Sequence, residues 1–513
     1  MNCLKNIFTV AVAGMLLSPF VSCKKLLEQQ PINSPYNSVF WQNQRDAEQG
    51  IAGNYALLRN ALTTNTAFGG YMSNFAYGSL PAYEFSVFNQ YDLSFLVNGG
   101  NSMATADFLG DYLDPLADWT PYYKIITQSN IILYNVPKIP DNQFTETPTP
   151  TRNRFLGEAL FLRAYTYFYM TRIWGDVPLI NQYDADPAHA KNVPRTNEKM
   201  VLDSCVNDLK QAINLLPWTN KKGAEVAVRA NKGAAYALLA HIYMWQNFLT
   251  KGSNPAYLSN AIAAVDTLES SGQYQLLPAT NYPSIFHGKT SEGIFELNMQ
   301  VSTIEQQTED GYYYNILQDP LIIKKSGSPA ILNTDLMNDI YDDSTDLRLN
   351  YFFYGLKETN ITKHILCKFA GPNAQNIYYK NPGNNTGAAV DANIILLRYA
   401  DLILLRAEAY ADQGNAGAAL SDINKVRRRA GAADTDGNGD VKYEVFRERS
   451  RELYGEGQRW YDLVRTGYLK TESGGKFTDT RYNAEGWKWP VARKLFLNNT
   501  VLTQNSYWLG KVK

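Results

Sequence analysis

Three glutamates with a helical spacing are the first residues in this sequence that could do acid–base chemistry. Glu448, Glu452 and Glu456 recur at i, i+4 and i+8, which places them on one face of a helix. The arginines interleaved with them are Arg447, Arg451 and Arg459. A glycoside hydrolase needs two carboxylates that converge across a cleft, and carboxylates stacked along one helix do not flank a bond in that way. The spacing therefore predicts a Glu/Arg network that locks the last helices to the rest of the fold.

Other signals of catalysis are missing from the sequence. It contains no GxSxG nucleophile elbow, no HExxH zinc motif and no P-loop. The four histidines are scattered, at His189, His241, His287 and His364. Because no set of residues meets the requirements of an active site, we expect no enzyme activity and no required cofactor.

One acidic segment resembles the start of a calcium-binding loop. Oxygen-bearing side chains stand at positions 1, 3 and 5, and a glycine stands at position 6. The closing glutamate of such a loop should fall at Val445, but Glu444 is one residue early. A structural calcium ion and a plain Asp/Asn/Gly turn between helices are both open, and the misplaced glutamate favours the turn. The candidate ligands are Asp434, Asp436, Asn438 and Asp440.

The composition favours a large folded protein that has no electrostatic footprint for nucleic acid. The chain has 513 residues, of which 45% are apolar and 19% are charged. This length is too great for one ordinary core, and the apolar fraction argues against disorder. The formal net charge of -1 excludes both a nucleic-acid-binding face and a polybasic membrane-binding face as compositional features.

The N-terminus has the pattern of an export signal. Lys5 precedes an apolar run from residue 7 to residue 21, which is too short to span a bilayer comfortably. The run ends in Phe-Val-Ser-Cys23, which resembles a bacterial lipobox; an ordinary signal peptide with a chance cysteine is the alternative. We predict a lipoprotein signal peptide over 1–22 and a lipidated tether over 23–40. Lipidation leaves only Cys205 and Cys367, too few for a disulfide scaffold, and Cys205 is expected to be a buried small residue.

Internal repeats set the predicted architecture. Small and large apolar residues recur at the offsets of a tetratricopeptide helix pair over residues 402–431. Similar pairs join 237–246 to 260–272 and 157–176 to 205–217, and a weaker pair joins 45–62 to 122–136. The sequence therefore predicts a mainly α fold, in which helix pairs support long loop-rich insertions. The predicted regions are N-terminal repeats over 41–270 with an insertion at 61–118, a loop-rich binding lobe over 271–395, and a C-terminal helix pair with a closing segment over 396–513. A short β stretch is expected at 293–300.

The chain resembles the SusD/RagB-like outer-membrane nutrient-binding lipoproteins of the Bacteroidetes, and the resemblance runs through nearly its whole length. The matching blocks include SCKKLLEQQP at the lipobox, VFWQNQRDAEQGIAGNYALL, and GEALFLRAYTYFYMTRIWGDVPL. Further along lie LLRYADLILLRAEAYADQGNAGAALSDINKVRRRAG, RERSRELYGEGQRWYDLVRTG and the terminal Gln504-Asn505 pair. Six blocks in the same order make the resemblance specific.

The resemblance implies a function. Such a protein is non-enzymatic, is anchored to the outer membrane through Cys23 and is exposed on the cell surface. It captures oligomeric nutrients, most often glycans, and delivers them to a SusC-like TonB-dependent transporter. Oligopeptide capture, as in RagB-like relatives, and a pure protein scaffold are the alternatives.

Sugar binding, as implied by the resemblance, needs aromatic rings on loops, where their faces stack on sugar rings. The two insertions provide candidate rings and one amide. No family motif singles out any of them individually. The candidates are Asn74, Phe75, Tyr77, Tyr83, Phe85 and Tyr91 in the first insertion, and Tyr282, Phe286, Tyr312, Tyr313 and Tyr314 in the second.

Overall fold

The structure is a computed structural model, and it describes most of the chain from residue 40 onward. The described residues are 40–63, 73–87, 114–185, 191–220, 222–299, 313, 316–323, 327, 330–356 and 364–511.

Helices dominate the described residues. In chain order they are α1 (Gln44–Thr63), α2 (Ser73–Gly78), α3 (Asp114–Ala117), α4 (Thr120–Asn135), α5 (Pro148–Trp174), α6 (Glu198–Leu215), α7 (Lys232–Leu249), α8 (Ala256–Ser270), α9 (Tyr282–His287), α10 (Thr334–Ile340), α11 (Arg348–Phe352), α12 (Tyr399–Asp412), α13 (Ala416–Arg429), α14 (Val441–Glu452), α15 (Arg459–Thr466), α16 (Leu469–Glu472), α17 (Asp479–Asn483) and α18 (Arg493–Asn498).

Strands are short and pair two by two, always antiparallel. They are β1 (Phe85–Val87), β2 (Gly293–Leu297), β3 (Ala330–Leu332), β4 (Phe353–Tyr354), β5 (Ile365–Leu366), β6 (Ile377–Asn381), β7 (Thr386–Val390) and β8 (Ile394–Arg398). The pairs are β1 with β3, β2 with β8, β4 with β5, and β6 with β7. Strand β2 falls inside the β stretch that the sequence predicts at 293–300.

The four predicted helix pairs are confirmed: α1 packs on α4, α5 on α6, α7 on α8, and α12 on α13. Small side chains make the close approach possible, since Ala164, Ala240 and Ala407 are all completely buried. Asparagine side chains begin three of these helices by accepting a hydrogen bond from a first-turn amide. They are Asn197 at α6, Asn231 at α7 and Asn415 at α13. The mainly α, repeat-based fold predicted from the sequence is therefore correct.

The long apolar helix α5 lies at the centre of the N-terminal repeats. Its Arg163 donates two hydrogen bonds to the carboxylate of Asp208 on α6, at 2.8 and 2.7 Å. Cys205, also on α6, is 1% exposed, as expected for a small core residue. Desolvation raises the pKa of the Cys205 thiol well above its usual value, so this cysteine is not a reactive nucleophile.

Helix α2 begins the described part of the first insertion beyond α1. A close contact at a glycine fixes this helix against the C-terminal helices. A Cβ atom built on Gly78 would lie 2.0 Å from the carbonyl oxygen of Gly457, in the turn between α14 and α15. Only a residue without a side chain allows these two backbones to approach so closely.

We expect Gly78→Ala to lower the free energy of unfolding by about 1–3 kcal/mol, because the methyl group would push against backbone rather than a flexible side chain. The matched control is Gly53→Ala on α1, where an added Cβ meets nothing within 4 Å. That change should raise stability by about 0.5–1 kcal/mol, because alanine is the better helix former. Urea denaturation of both variants measures the two effects, and equal effects would show that the Gly78 contact is not tight.

Candidate functional site

The glutamates of α14 face the protein interior. Glu448 and Glu452 are completely buried. Glu452 accepts hydrogen bonds from Arg398 at 2.7 Å and from Arg429 at 2.5 Å through one oxygen, and from Arg348 at 3.1 Å through the other. The predicted Glu/Arg network is therefore present, but most of its cations come from distant segments. Of the arginines on α14 and α15, Arg447 pairs with Asp339 and Arg459 with Glu472.

The carboxylates of this network are not suited to acid–base catalysis on a substrate. Burial alone would raise the pKa of Glu452, but the guanidinium groups of Arg429, Arg398 and Arg348 hold it well below its usual range. Asp401 behaves likewise: burial opposes ionisation, but His241, 2.8 Å away, and Arg449 hold its pKa well below the usual range. Carboxylates that are permanently ionised and fully paired are structural, which agrees with the interpretation drawn from their spacing.

The structure corrects the sequence-based site for most of the predicted rings. Those that it places in the core are Phe75, Tyr77, Phe85, Tyr282, Phe286 and Tyr313, none more than 5% exposed. Asn74 is also buried, at 9%. A ring in the core has no face to offer to a ligand, so these residues are anchors of the insertions rather than parts of a binding surface. Their position between helical repeats is typical of loop residues, but the short elements α2, β1 and α9 direct all of them except Tyr313 into the core, and Tyr313 is buried from a turn.

Specific contacts show how these rings anchor the insertions. Phe75 packs edge-to-face on Phe85 with ring centroids 5.0 Å apart. In the second insertion, Tyr313 stacks on Phe369 at 4.2 Å and donates a hydrogen bond to the carbonyl oxygen of Asn393 at 3.0 Å. Packed aromatic pairs of this kind add about 0.5–1.5 kcal/mol beyond the area they bury. These contacts hold each insertion together internally. Two other predicted rings reach the scaffold: Tyr77 packs edge-to-face on Trp174 of α5 with ring centroids 5.8 Å apart, and the hydroxyl of Tyr282 donates a hydrogen bond to Glu452 of α14 at 3.2 Å.

The two insertions also join each other. Strand β1 of the first pairs with β3 of the second, in the register Phe85 with Leu332 and Val87 with Ala330. Beside this pair, the side-chain amide of Asn333 donates a hydrogen bond to the carbonyl oxygen of Tyr83 at 2.8 Å. Segments more than 200 residues apart in the sequence are thus joined on the scaffold. The two insertions, 61–118 and 271–395, are here together named the insertion lobe.

Tyr83 is the predicted ring that the structure leaves partly exposed. It is half-buried and adopts a left-handed backbone conformation with φ of 62°, which directs the chain from α2 into β1. Tyr91, Tyr312 and Tyr314 lie outside the described residues, as does Cys23.

Two rings on the β6–β7 hairpin are not among those predicted from the sequence. Tyr378 is 46% exposed, and the hydroxyl of Tyr379 accepts a hydrogen bond from the backbone amide of Ile323 in the second insertion, at 3.0 Å. The alternation in IYYKN and the Pro-Gly-Asn-Asn turn that follows it are the signals that could have revealed this hairpin.

The acidic segment before α14 forms a turn whose carboxylates have protein partners. Asp434 pairs with Arg428 at 2.5 Å, and Asp436 accepts a hydrogen bond from the amide of Asn438 at 3.0 Å. Asp440 caps α14 by accepting a hydrogen bond from the amide of Lys442 at 3.0 Å. In the parts of the chain that the structure describes, no three acidic, histidine or cysteine side chains converge as metal ligands. This arrangement is that of a turn connecting two helices, and calcium binding by these residues stays a prediction.

A cleft of about 1170 Å³ opens between the α7–α8 loop and the C-terminal helices. Its walls combine the rings of Phe248 and Tyr482 with the amides of Asn247 and Gln413. The charged residues at its rim include Lys442, which is paired with Asp412 at 2.9 Å. This cleft belongs to the repeat scaffold, and none of the insertion-lobe residues that the structure describes lines it.

None of the helices in the described part of the chain is both long and apolar enough to cross a bilayer.

Comparison with protein families gives two matches, one over the N-terminal repeats with the first insertion and the other over the C-terminal part of the chain. A SusD-like family model described as "Starch-binding associating with outer membrane" matches residues 57–244. A second model, of the SusD family, matches residues 356–508.

Individual proteins agree with these models. SusD-like protein P38 of Formosa agariphila is 26% identical over 98% of this chain and 99% of its own length. The starch-binding protein SusD of Bacteroides thetaiotaomicron is 35% identical, but over only 25% of this chain and 24% of its own. Among solved structures, a SusD homologue from Bacteroides thetaiotaomicron superposes with a TM-score of 0.79 at 28% identity, covering 91% of this chain and 99% of that one.

Proposed function

The chain belongs to the SusD/RagB-like family, and on that basis we propose that it is a non-enzymatic outer-membrane lipoprotein that captures an oligomeric nutrient, namely a glycan. The observation that carries the proposal is the match of residues 57–244 to a family described as starch-binding and associated with the outer membrane. The starch-binding name of one relative points to the same class of ligand.

The architecture suits capture better than catalysis. Four helix pairs form a rigid scaffold, and both insertions are anchored to it by buried rings and joined through β1 and β3. A binding surface mounted on a rigid base loses little conformational entropy when a ligand binds. At the centre of the C-terminal half, buried arginines lower the pKa of Glu448 and Glu452 and pair with both carboxylates, so these groups serve stability.

Delivery to a transporter and attachment to the membrane are further parts of the proposal. The family implies a SusC-like TonB-dependent barrel as the partner that receives the ligand. Acylation of Cys23 would anchor the protein to the outer membrane, with the folded domain on the cell surface, and residues 23–40 would form the tether between the lipid and the scaffold.

We expect binding to be detectable by calorimetry with the soluble form that begins at Lys24, titrated against neutral and acidic polysaccharides, their oligosaccharides and peptide digests. Replacing Tyr83 by alanine should weaken glycan binding roughly tenfold, about 1.4 kcal/mol, because a ring at the edge of the insertion lobe would lose its stacking contact. The same substitution at Tyr91, Tyr312 and Tyr314 tests the other rings predicted from the sequence.

The control is Tyr134→Ala, which removes a 47% exposed ring from the scaffold helix α4. This variant should bind as the wild type does. Heat with peptides and none with any glycan would reject glycan capture in favour of oligopeptide capture. Equal losses in Tyr83→Ala and Tyr134→Ala would show that the effect is not specific to the lobe.

A further inference from the structure

A cluster of cations and aromatic rings lies where the first insertion meets the C-terminal segment. It consists of Tyr83, Lys476, Arg481, Tyr507 and Lys511, here named the basic–aromatic patch. The ammonium group of Lys476 lies 5.9 Å from the ring centroid of Tyr83, and that of Lys511 lies 3.8 Å from the ring of Tyr507. The guanidinium group of Arg481 lies 5.1 Å from the centroid of the Tyr507 ring, and it interacts electrostatically with the hydroxyl group of Tyr83. The patch is therefore continuous from the insertion lobe to the end of the described chain.

Arg481 has no counter-ion among the described residues. It is only 5% exposed, and the one side-chain hydrogen bond that it forms with them goes from Nη2 to the carbonyl oxygen of Gly486 at 3.3 Å. Its Nε and Nη1 atoms are buried without a hydrogen-bond partner among the described residues. The acids nearest in sequence are engaged elsewhere, since Asp479 pairs with Lys470 at 2.6 Å and Glu485 with Lys488 at 2.7 Å.

The electrostatics of Arg481 reflect this isolation. Burial lowers its pKa to about 10, opposed only by the nearby hydroxyl groups of Tyr507 and Tyr83. The buried arginines of the α14 network differ, because carboxylates hold the pKa of Arg398 and of Arg348 above the usual value. A buried guanidinium without an anion is costly, and a bound anion would relieve that cost.

The two lysines add positive charge at the surface. Lys476 and Lys511 are both exposed, and neither forms an ion pair with any residue that the structure describes. The whole chain has a net charge of -1, so three uncompensated cations around one group of rings do not follow from a basic composition. Surface lysines and a buried arginine beneath them produce a local positive potential.

We propose that the basic–aromatic patch binds the carboxylate or sulfate groups of an acidic polysaccharide, so that the captured glycan is anionic. This inference rests on the proposed function and narrows it to a class of ligand. Lys476 and Lys511 would contact the anionic groups directly, while Arg481 would add attraction from beneath the surface. The half-buried rings of Tyr83 and Tyr507 offer apolar area against which a sugar ring can lie.

The test compares two matched double variants of the soluble chain that begins at Lys24. Lys476→Gln with Lys511→Gln removes two charges from the patch, and Lys199→Gln with Lys210→Gln removes two from exposed positions of α6 that have no ion pair among the described residues. The probes are polygalacturonate for carboxylates, dextran sulfate for sulfate esters and unsubstituted dextran as the neutral polymer. Binding is measured by calorimetry at low and at high salt.

We expect the wild type to bind polygalacturonate or dextran sulfate more tightly than dextran, with an affinity that falls as salt rises. The patch variant should bind the anionic polymer at least tenfold more weakly, and the α6 variant should bind it as the wild type does. The anionic polymer that binds identifies carboxylate or sulfate as the recognised group. Arg481→Lys, which keeps the charge, should retain binding.

Equal losses in the two double variants would overturn the proposal, because they would show non-specific attraction to positive charge. Tight binding of neutral glycans alone, unchanged in the patch variant, would also overturn it while leaving glycan capture intact. Failure to bind any glycan, with heat from peptides only, would overturn both this inference and the proposed function. Loss in the patch variant of binding to phosphatidylglycerol vesicles, with no glycan binding, would make the patch a membrane contact and reject the proposal.

Discussion

The free energy of unfolding should fall by about 3–5 kcal/mol when Glu452 is replaced by glutamine, because this removes one partner of a buried ionic network and leaves cations without a counter-charge. Glu452 faces Arg398, Arg429 and Arg348, and all three guanidinium groups are buried around it. A neutral amide of the same shape cannot compensate them. The NH2 group of the amide would also face the N–H groups of these arginines, so that hydrogen-bond donors would oppose each other.

The measurement is urea denaturation of the soluble form that begins at Lys24. Glu444→Gln is the matched control, since it makes the same change on the same helix at a half-buried residue that forms no ion pair with the described residues. We expect the control to stay within about 0.5 kcal/mol of the wild type. If Glu452→Gln were as stable as the control, the network would not contribute to holding α14 in place.

The sequence could predict that this network exists but not which residues complete it. Spacing along α14 reports only which side chains share a helix face, and it identified Glu448, Glu452 and Glu456 correctly as structural. Two of the main partners of Glu452, Arg398 and Arg429, lie at the ends of β8 and α13, and the packing of the helix pairs brings them to it. Periodicity within one helix contains no information about such contacts.

The helix pairs themselves were predictable because small and large residues recur at fixed offsets, so the local pattern and the tertiary contact coincide. The rings that face a ligand could not be predicted in this way. Tyr282 and Phe286 were assigned to a loop surface from composition, yet α9 buries both against Phe352, with ring centroids 4.7 and 6.3 Å away. An aromatic ring in an insertion can anchor the loop or face a ligand, and the two roles have the same sequence signal. Only the burial of the ring in the folded structure distinguishes the two roles.

The second large expected effect is on how the stability of the fold depends on pH. It comes from two buried glutamates that form no ion pair with the described residues. Glu84 precedes β1 and Glu296 lies on β2, so both sit where the insertions join the scaffold. Neither forms an ion pair among the described residues. Glu84 accepts a hydrogen bond from the amide of Gly455 at 2.9 Å, and Glu296 accepts one from the amide of Lys289 at 3.0 Å and one from the side-chain amide of Asn393 at 2.8 Å.

Burial raises the pKa of both groups from 4.5 to about 7, against the smaller effect of these hydrogen bonds. Between pH 4.5 and about 7 the folded state therefore binds more protons than the unfolded state. The free energy of unfolding must then fall as pH rises through this window, and it is constant with respect to these two groups above it. At about 1.4 kcal/mol for each unit of pKa difference, each glutamate costs about 3 kcal/mol of stability at pH 8.

Glutamine keeps the shape of a protonated glutamate and has no proton to lose. We therefore expect Glu84→Gln and Glu296→Gln to match the wild type near pH 4.5 and to be more stable than it at pH 8, by up to about 3 kcal/mol each. The measurement is urea denaturation of the soluble chain at intervals from pH 4.5 to 8, with Glu444→Gln again as the control. A glutamine variant that tracked the wild type at every pH would show that the buried carboxyl group ionises at its ordinary pKa. In that case water must reach the base of the insertion lobe, because the nearby cations (Arg459 and Lys368 for Glu84, Lys289 for Glu296) do not outweigh the burial of either carboxylate.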